Sequence, residues 1–221
     1  MSLARKKRGF NRLAPRYDAL VKLFFGSDLL RATTHFIDRL PPNARVLVVG
    51  GGTGNFFEAL GRARPDCKVL FVDLSERMIE LAQQRLAALP AKVRPQATFF
   101  CCSWDEIVPG LRADAILTPF FLDCFSDAAQ PAILARLRSH LAPGGQWLFA
   151  DFNVPEQGAG RGRAKLVVRL LYAGFNAICG LDVKQLPDFK RHFKDAGFVV
   201  KDEASFRRNM LVACRLVPVP G

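Results

Sequence analysis

Residues 46–54, Val-Leu-Val-Val-Gly-Gly-Gly-Thr-Gly, limit what this chain can fold into more than any other stretch. Four apolar residues of strand character run into a glycine cluster, and Asn55-Phe56-Phe57-Glu58-Ala59-Leu60 then opens a helical pattern. A strand, a glycine turn and a helix in that order let main chain approach a nucleotide-like ligand, because glycine has no Cβ to clash and tolerates positive φ. A dinucleotide fingerprint counted from Gly50 would need glycine at position 55, where Asn55 stands, and no Gly-Lys-Ser/Thr follows. The spacing therefore disfavours nicotinamide dinucleotides and nucleoside triphosphates. Lys68-Val69-Leu70-Phe71-Val72 reads as a second buried strand, and it ends in Asp73, 19 residues beyond Gly54. A carboxylate there can accept both hydroxyls of a ribose.

Composition sets the frame. At 221 residues and 50% hydrophobic, the chain can bury a full core as one domain. Alternating helical and strand patterns predict an α/β fold with a mostly parallel sheet. No apolar run reaches the roughly 20 residues that span a bilayer, and no apolar core typical of a secretory signal follows the basic start. The six cysteines (67, 101, 102, 124, 179 and 214) form no Cys-x-x-Cys pair and no zinc spacing, so neither a metal site nor disulfides are expected. A reducing cytoplasm fits that usage. The net charge is +12, and residues 1–22 contribute half of it, with seven Lys or Arg against Asp18 alone. Such a segment can solubilise, or be drawn to an anionic membrane or to nucleic acid. Charge alone leaves these open.

Three segments in order carry a resemblance: Val46 to Gly54, Asp73-Leu74-Ser75-Glu76-Arg77-Met78, and Leu141-Ala142-Pro143-Gly144-Gly145. They resemble the motifs of class I S-adenosylmethionine-dependent methyltransferases. Phe10 to Asp18, followed by Phe25-Gly26, is similar to the start of the ubiquinone/menaquinone-type members. The resemblance implies S-adenosyl-L-methionine as cofactor and S-adenosyl-L-homocysteine as product. It also implies a cofactor site built from Gly50, Gly51, Gly52, Thr53, Gly54 and Asp73, with Leu74 and Met78 flanking the adenine. Ser103 stands where the family usually has an aspartate for the adenine amino group, with Trp104 beside it. A departure lies in the first strand: Val48 occupies the position of the usual acidic residue that helps bind the methionine end. That end is then left to main-chain carbonyls near Gly50 and Thr118, to water, or to nothing.

The domain organisation expected is one Rossmann-like, seven-stranded methyltransferase domain with a C-terminal antiparallel hairpin. Residues 1–9 read as a flexible basic tail, and 10–42 as a helical cap interrupted near Pro15, with Asp28 capping its second helix. Residues 43–154 form the cofactor-binding core, with strands at 97–102, 114–118 and 146–151, and a helix at 128–141. Residues 155–197 read as a substrate-side insertion: a mobile loop over 155–165, a helix to Leu181, and a solvated helix carrying His192. Residues 198–217 read as the hairpin.

Ligands of open α/β sheets bind beyond the strand carboxyl ends, so Pro119 to Phe125 should line the reaction centre. Asp123 is the best-placed carboxylate to orient or deprotonate an acceptor, with Tyr17 or Tyr172 orienting. Phe10, Phe24, Phe25, Phe120, Phe121 and Phe125 are expected around an apolar pocket. His35, His140 and His192 are read as structural. The function expected is methyl transfer by direct displacement to a small, largely apolar acceptor. An RNA or DNA methyltransferase and a cofactor-binding protein without transfer activity are the rivals.

Overall fold

The computed structural model describes residues 3–155, 160–181 and 183–219. Two helices, α1 (Leu3–Phe25) and α2 (Asp28–Thr34), precede alternating strands and helices. These are β1 (Arg45–Val49), α3 (Phe57–Ala63), β2 (Lys68–Asp73), α4 (Glu76–Ala87), β3 (Gln96–Cys101), β4 (Ala113–Pro119), α5 (Gln130–Arg138) and β5 (Leu141–Phe152). Helices α6 (Gly160–Cys179) and α7 (Phe189–Asp195) lead into the hairpin β6 (Phe198–Phe206) and β7 (Leu211–Pro218).

The seven strands lie in the order β3-β2-β1-β4-β5-β7-β6, with β7 antiparallel to both neighbours and the other pairings parallel. The central strands are continuous apolar runs because helices cover both faces of the sheet. Val46 and Val48 face one core with Ala115, Leu117 and the packed rings of Phe56, Phe57 and Phe71. Leu47 and Val49 face the other, with Ile116, Trp147, Phe149 and Phe193. Each such ring or branched chain contributes about 1.5–3 kcal/mol when fully buried. Strand order reverses between β1 and β4, and a crevice opens beyond their carboxyl ends.

The strand core follows the sequence pattern, while several boundaries move. Helix α1 begins at Leu3 and runs unbroken through Pro15, so described residues 3–9 are helical and not a flexible tail. Tertiary anchors outweigh the missing N–H of the proline. Lys7 Nζ lies 2.6 Å from Glu76, and Asn11 receives a hydrogen bond from Ser75 Oγ at 2.6 Å and donates one to Glu76 at 3.0 Å. Asp28 opens α2 from inside the helix and pairs with Arg31 and Arg207; Ser27 holds the cap position. Pro143-Gly144-Gly145 does not precede β5 but lies within it, where register jumps between the Ala113–Leu141 and Ala115–Gln146 pairs. Helix α6 starts at Gly160, five residues earlier than the insertion helix was expected, and positions 156–159 of the expected loop lie outside the described residues. His192 is buried rather than solvated. Its i−3 and i+1 neighbours Phe189 and Phe193 pack on the sheet, and its Nε2 sits 2.8 Å from Asp127 Oδ1.

Candidate active site

A cavity of about 250 Å³ fills the crevice at the switch point. Its floor is the glycine turn. Gly50 and Gly52 both have positive φ, at 69° and 57°. A Cβ on Gly52 would meet no atom within 4 Å, and Gly52 lines the cavity, so the missing side chain leaves room for a ligand against main chain. Gly51 and Gly54 serve packing instead. Added Cβ atoms would lie 2.3 Å from the Phe71 ring and 2.7 Å from the Phe57 ring.

Asp73 stands at the end of β2, facing this floor. Its Oδ2 accepts from the Gly52 N–H and its Oδ1 from the Ser75 N–H, both at 2.9 Å. Burial pushes its carboxyl above the ordinary aspartate value, and these main-chain donors oppose that shift. Each oxygen keeps lone pairs for a second donor, which suits paired ribose hydroxyls. Ser75 caps α4 by accepting from the Met78 N–H at 3.1 Å, and this brings Leu74 and Met78 to the cavity wall. Ser103 and Trp104, after β3, complete that wall, and Trp104 stacks edge-on against Phe125.

The opposite wall is aromatic: Phe10 and Tyr17 from α1, and Phe120, Phe121 and Phe125 after β4. Phe120 has φ of 50°, rare for a residue with a Cβ, and its N–H donates to Ala150 O at 2.7 Å. The turn thus swings the Phe120 and Phe121 rings inward. Phe24 is exposed, and Phe25 packs on Phe152 away from the cavity. Leu3 and Lys6 close the mouth, with the Lys6 ammonium 5.2 Å from the centre of the Phe125 ring.

Thr53 and Thr118, both expected at the cofactor, direct their side chains elsewhere, and Val48, at the position of the missing acidic residue, does not reach the cavity. Val48 is fully buried in the core. Thr53 Oγ1 donates to Asp18 at 2.7 Å, tying the glycine turn to α1, and Arg85 holds the other oxygen of Asp18. Thr118 is buried inside the sheet, where its hydroxyl accepts from the Trp147 indole at 2.9 Å.

Asp123 is buried behind the wall formed by Phe121 and Cys124. Its N–H donates to Asp151 Oδ2 at 3.2 Å, and the Cys124 thiol donates to its Oδ1 at 3.5 Å. Burial pushes Asp123 up to about 7, and burial together with the Asp123 charge pushes Asp151 well above the carboxylate range. Burial thus favours the neutral form of both carboxyls, and the charge of Asp123 further opposes ionisation of Asp151. The Tyr172 hydroxyl, buried on α6, has no hydrogen-bond partner among the described residues, and its ionisation is further opposed by the same two carboxylates. Burial also raises Tyr17, with Cys124 and Asp123 adding to it. Asp151 escapes a reading of sequence alone, although its place at the carboxyl end of β5 marks it by the switch-point rule. Among the described residues no cluster of His, Cys, Asp or Glu suits a metal ion, and all six cysteines are free.

Residues 47–147 match the family described as Methyltransferase domain. That match, with the seven-stranded sheet, supports a class I S-adenosylmethionine-dependent methyltransferase domain. It is similar to probable thiol methyltransferase 2 of Arabidopsis thaliana, 29% identical over 120 residues, which cover 54% of this chain and 51% of that one. Demethylmenaquinone methyltransferase of Symbiobacterium thermophilum is 26% identical over 163 residues, covering 66% of this chain and 58% of that one. This chain thus spans little more than half the length of these two relatives. Among solved structures, that of DhpI with SAH superposes with a TM-score of 0.65 at 17% identity, covering 99% of this chain and 98% of that one. At that identity the likeness concerns fold. The seven-stranded sheet with antiparallel β7 between β5 and β6 fits a Rossmann-like methyltransferase fold.

Proposed function

We propose that the chain transfers a methyl group from S-adenosylmethionine to a small, largely apolar acceptor by direct displacement. The observation that carries this reading is one cavity in which the Gly50–Gly52 floor and Asp73 meet a wall of four phenylalanines. S-adenosylmethionine, when bound, supplies a methyl group already activated on sulfur. Asp73 would hold the ribose, and Leu74, Met78, Ser103 and Trp104 would enclose the adenine. Phe10, Phe120, Phe121 and Phe125 would exclude water and align an apolar acceptor, which is where most of the rate enhancement arises in a reaction of this type. Tyr17, on the same wall, would orient the acceptor. Where the acceptor must lose a proton, Asp123 would be the base, reached through the Cys124 thiol that lines the cavity and donates to its Oδ1, and its ionisation is brought near neutrality by burial.

The methionine end has no acidic side chain from β1, because Val48 faces the core. That single feature favours the second reading, a cofactor-binding protein without transfer activity. Nucleic acid ranks behind both, since Lys6 is the single cation among the described residues lining a largely aromatic and apolar cavity. The test is incubation with methyl-tritiated S-adenosylmethionine and a panel of apolar phenols, thiols, enols and quinol analogues. Label passing into organic-extractable product supports transfer. Cofactor binding with no labelled product across the panel supports the second reading.

A further inference from the structure

We propose that the outward face shared by α1 and α6 docks onto an anionic phospholipid bilayer. These two helices hold eleven Lys or Arg against Asp18 alone, so they carry ten of the twelve net positive charges of the chain. The rest of the molecule is close to neutral. Both helices bury their inner sides in the same core cluster, through Leu13 and Phe25 of α1 and Val168, Tyr172 and Cys179 of α6. They also touch closely: a Cβ on Gly9 would lie 2.3 Å from Cys179 Cα. Their outer sides therefore face away from one side of the sheet.

On α1, exposed Arg8, Arg12 and Arg16 follow one another at four-residue steps, which places them along a single stripe. The same helix ends in exposed Leu23, at 76%, and Phe24. On α6, exposed Arg161, Lys165 and Arg169 form a stripe at the same spacing. Beside it, one residue on, run exposed Leu166 and Leu170, at 57% and 63%, and then Ile178. Parallel basic and apolar stripes suit a bilayer interface, where cations meet lipid phosphates and apolar side chains enter the acyl boundary. Phosphate binding along nucleic acid would employ the cations and leave the leucines in water. No helix among the described residues is long and apolar enough to cross the membrane, so the contact is peripheral.

The cavity lies against the inner side of α1 and the end of α6. Leu3 and Lys6 of α1, and Leu181 just beyond α6, line the cavity. A bilayer-held acceptor could pass into the aromatic pocket without crossing water; this last step rests on the proposed methyl transfer, whereas docking does not.

The test is co-sedimentation of the full chain, without cofactor or acceptor, with vesicles at physiological salt. The chain should bind vesicles of about one-third phosphatidylserine in phosphatidylcholine at least ten times more strongly than pure phosphatidylcholine. Arg8→Glu/Arg12→Glu/Arg16→Glu should weaken that binding by about 100-fold or more. Leu166→Ser/Leu170→Ser, which keeps every charge, should weaken it by about 10-fold. Both variants lie outside the cavity and should keep wild-type affinity for S-adenosylhomocysteine, which separates failure here from failure of the cofactor reading. Three results would overturn the proposal. One is absence of binding to the anionic vesicles. Another is binding that the leucine variant leaves unchanged while single-stranded RNA competes. The last is a solution dimer that the leucine variant converts to monomer, which would assign the face to a second copy of this chain.

Discussion

Asp73→Ala is expected to lower affinity for S-adenosylhomocysteine by about 100-fold or more, with the fold retained. Hydrogen bonds to a charged group contribute about 1.5–3 kcal/mol each, and the Asp73 carboxylate would accept two from the ribose. It also holds the Gly52 and Ser75 N–H groups, so truncation frees the floor of the cavity as well as removing the ligand's partner. Asp73→Asn preserves volume but turns one acceptor into a donor that faces a main-chain N–H. Its affinity should therefore fall too, by at least about 10-fold. Calorimetric titration of both variants checks this, with far-ultraviolet circular dichroism reporting the fold. Affinity within threefold of wild type would detach Asp73 from the ligand.

The second large effect concerns the buried pair. For an acceptor that must be deprotonated, Asp123→Asn should lower kcat by about 100- to 1,000-fold while cofactor affinity stays within twofold. The wild-type rate should rise with pH through about 7, where Asp123 ionises, and the variant should lose that limb. Stability supplies an independent readout. Both carboxyls bind protons more tightly in the folded chain than in the unfolded one, where aspartate titrates at about 3.9. Their contribution to stability is then full below about pH 4; that of Asp123 is lost as pH rises through about 7, and that of Asp151 as pH rises through its own raised value. Asp123→Asn should flatten that fall, because the remaining Asp151 no longer faces a second charge. Unchanged turnover and an unchanged rate profile would remove Asp123 from the chemistry. A flattened stability curve with unchanged turnover would leave it a structural role only.

How much of this was legible in the sequence depends on whether a feature is local. The strands β1, β2 and β4 are apolar runs that no other element could use, and the hairpin after α7 declares itself through Arg207-Arg208-Asn209, all with positive φ. The glycine turn, Asp73, and the Ser75 cap that brings Met78 to the wall are likewise fixed by near neighbours. What escaped depends on distant contacts. The order of residues 3–9 comes from Lys7 and Gly9 meeting Glu76 and Cys179, far along the chain. Asp151 matters because β4 and β5 lie side by side and bring it to Asp123. His192 looks solvated among Lys190, Arg191 and Lys194, and only the Trp147–Phe193 packing shows which way the helix turns. Thr118 stands at the right strand end, yet its side chain alternates into the sheet toward Trp147.

The central claim is that this cavity takes S-adenosylmethionine although Val48 replaces the usual acidic residue. Calorimetric titration of the purified chain with S-adenosylmethionine, S-adenosylhomocysteine and NAD tests it most directly. The account predicts micromolar binding of the first two and none of NAD. A folded chain that binds neither of the first two would contradict it and withdraw the roles given to Asp73, Tyr17 and Asp123.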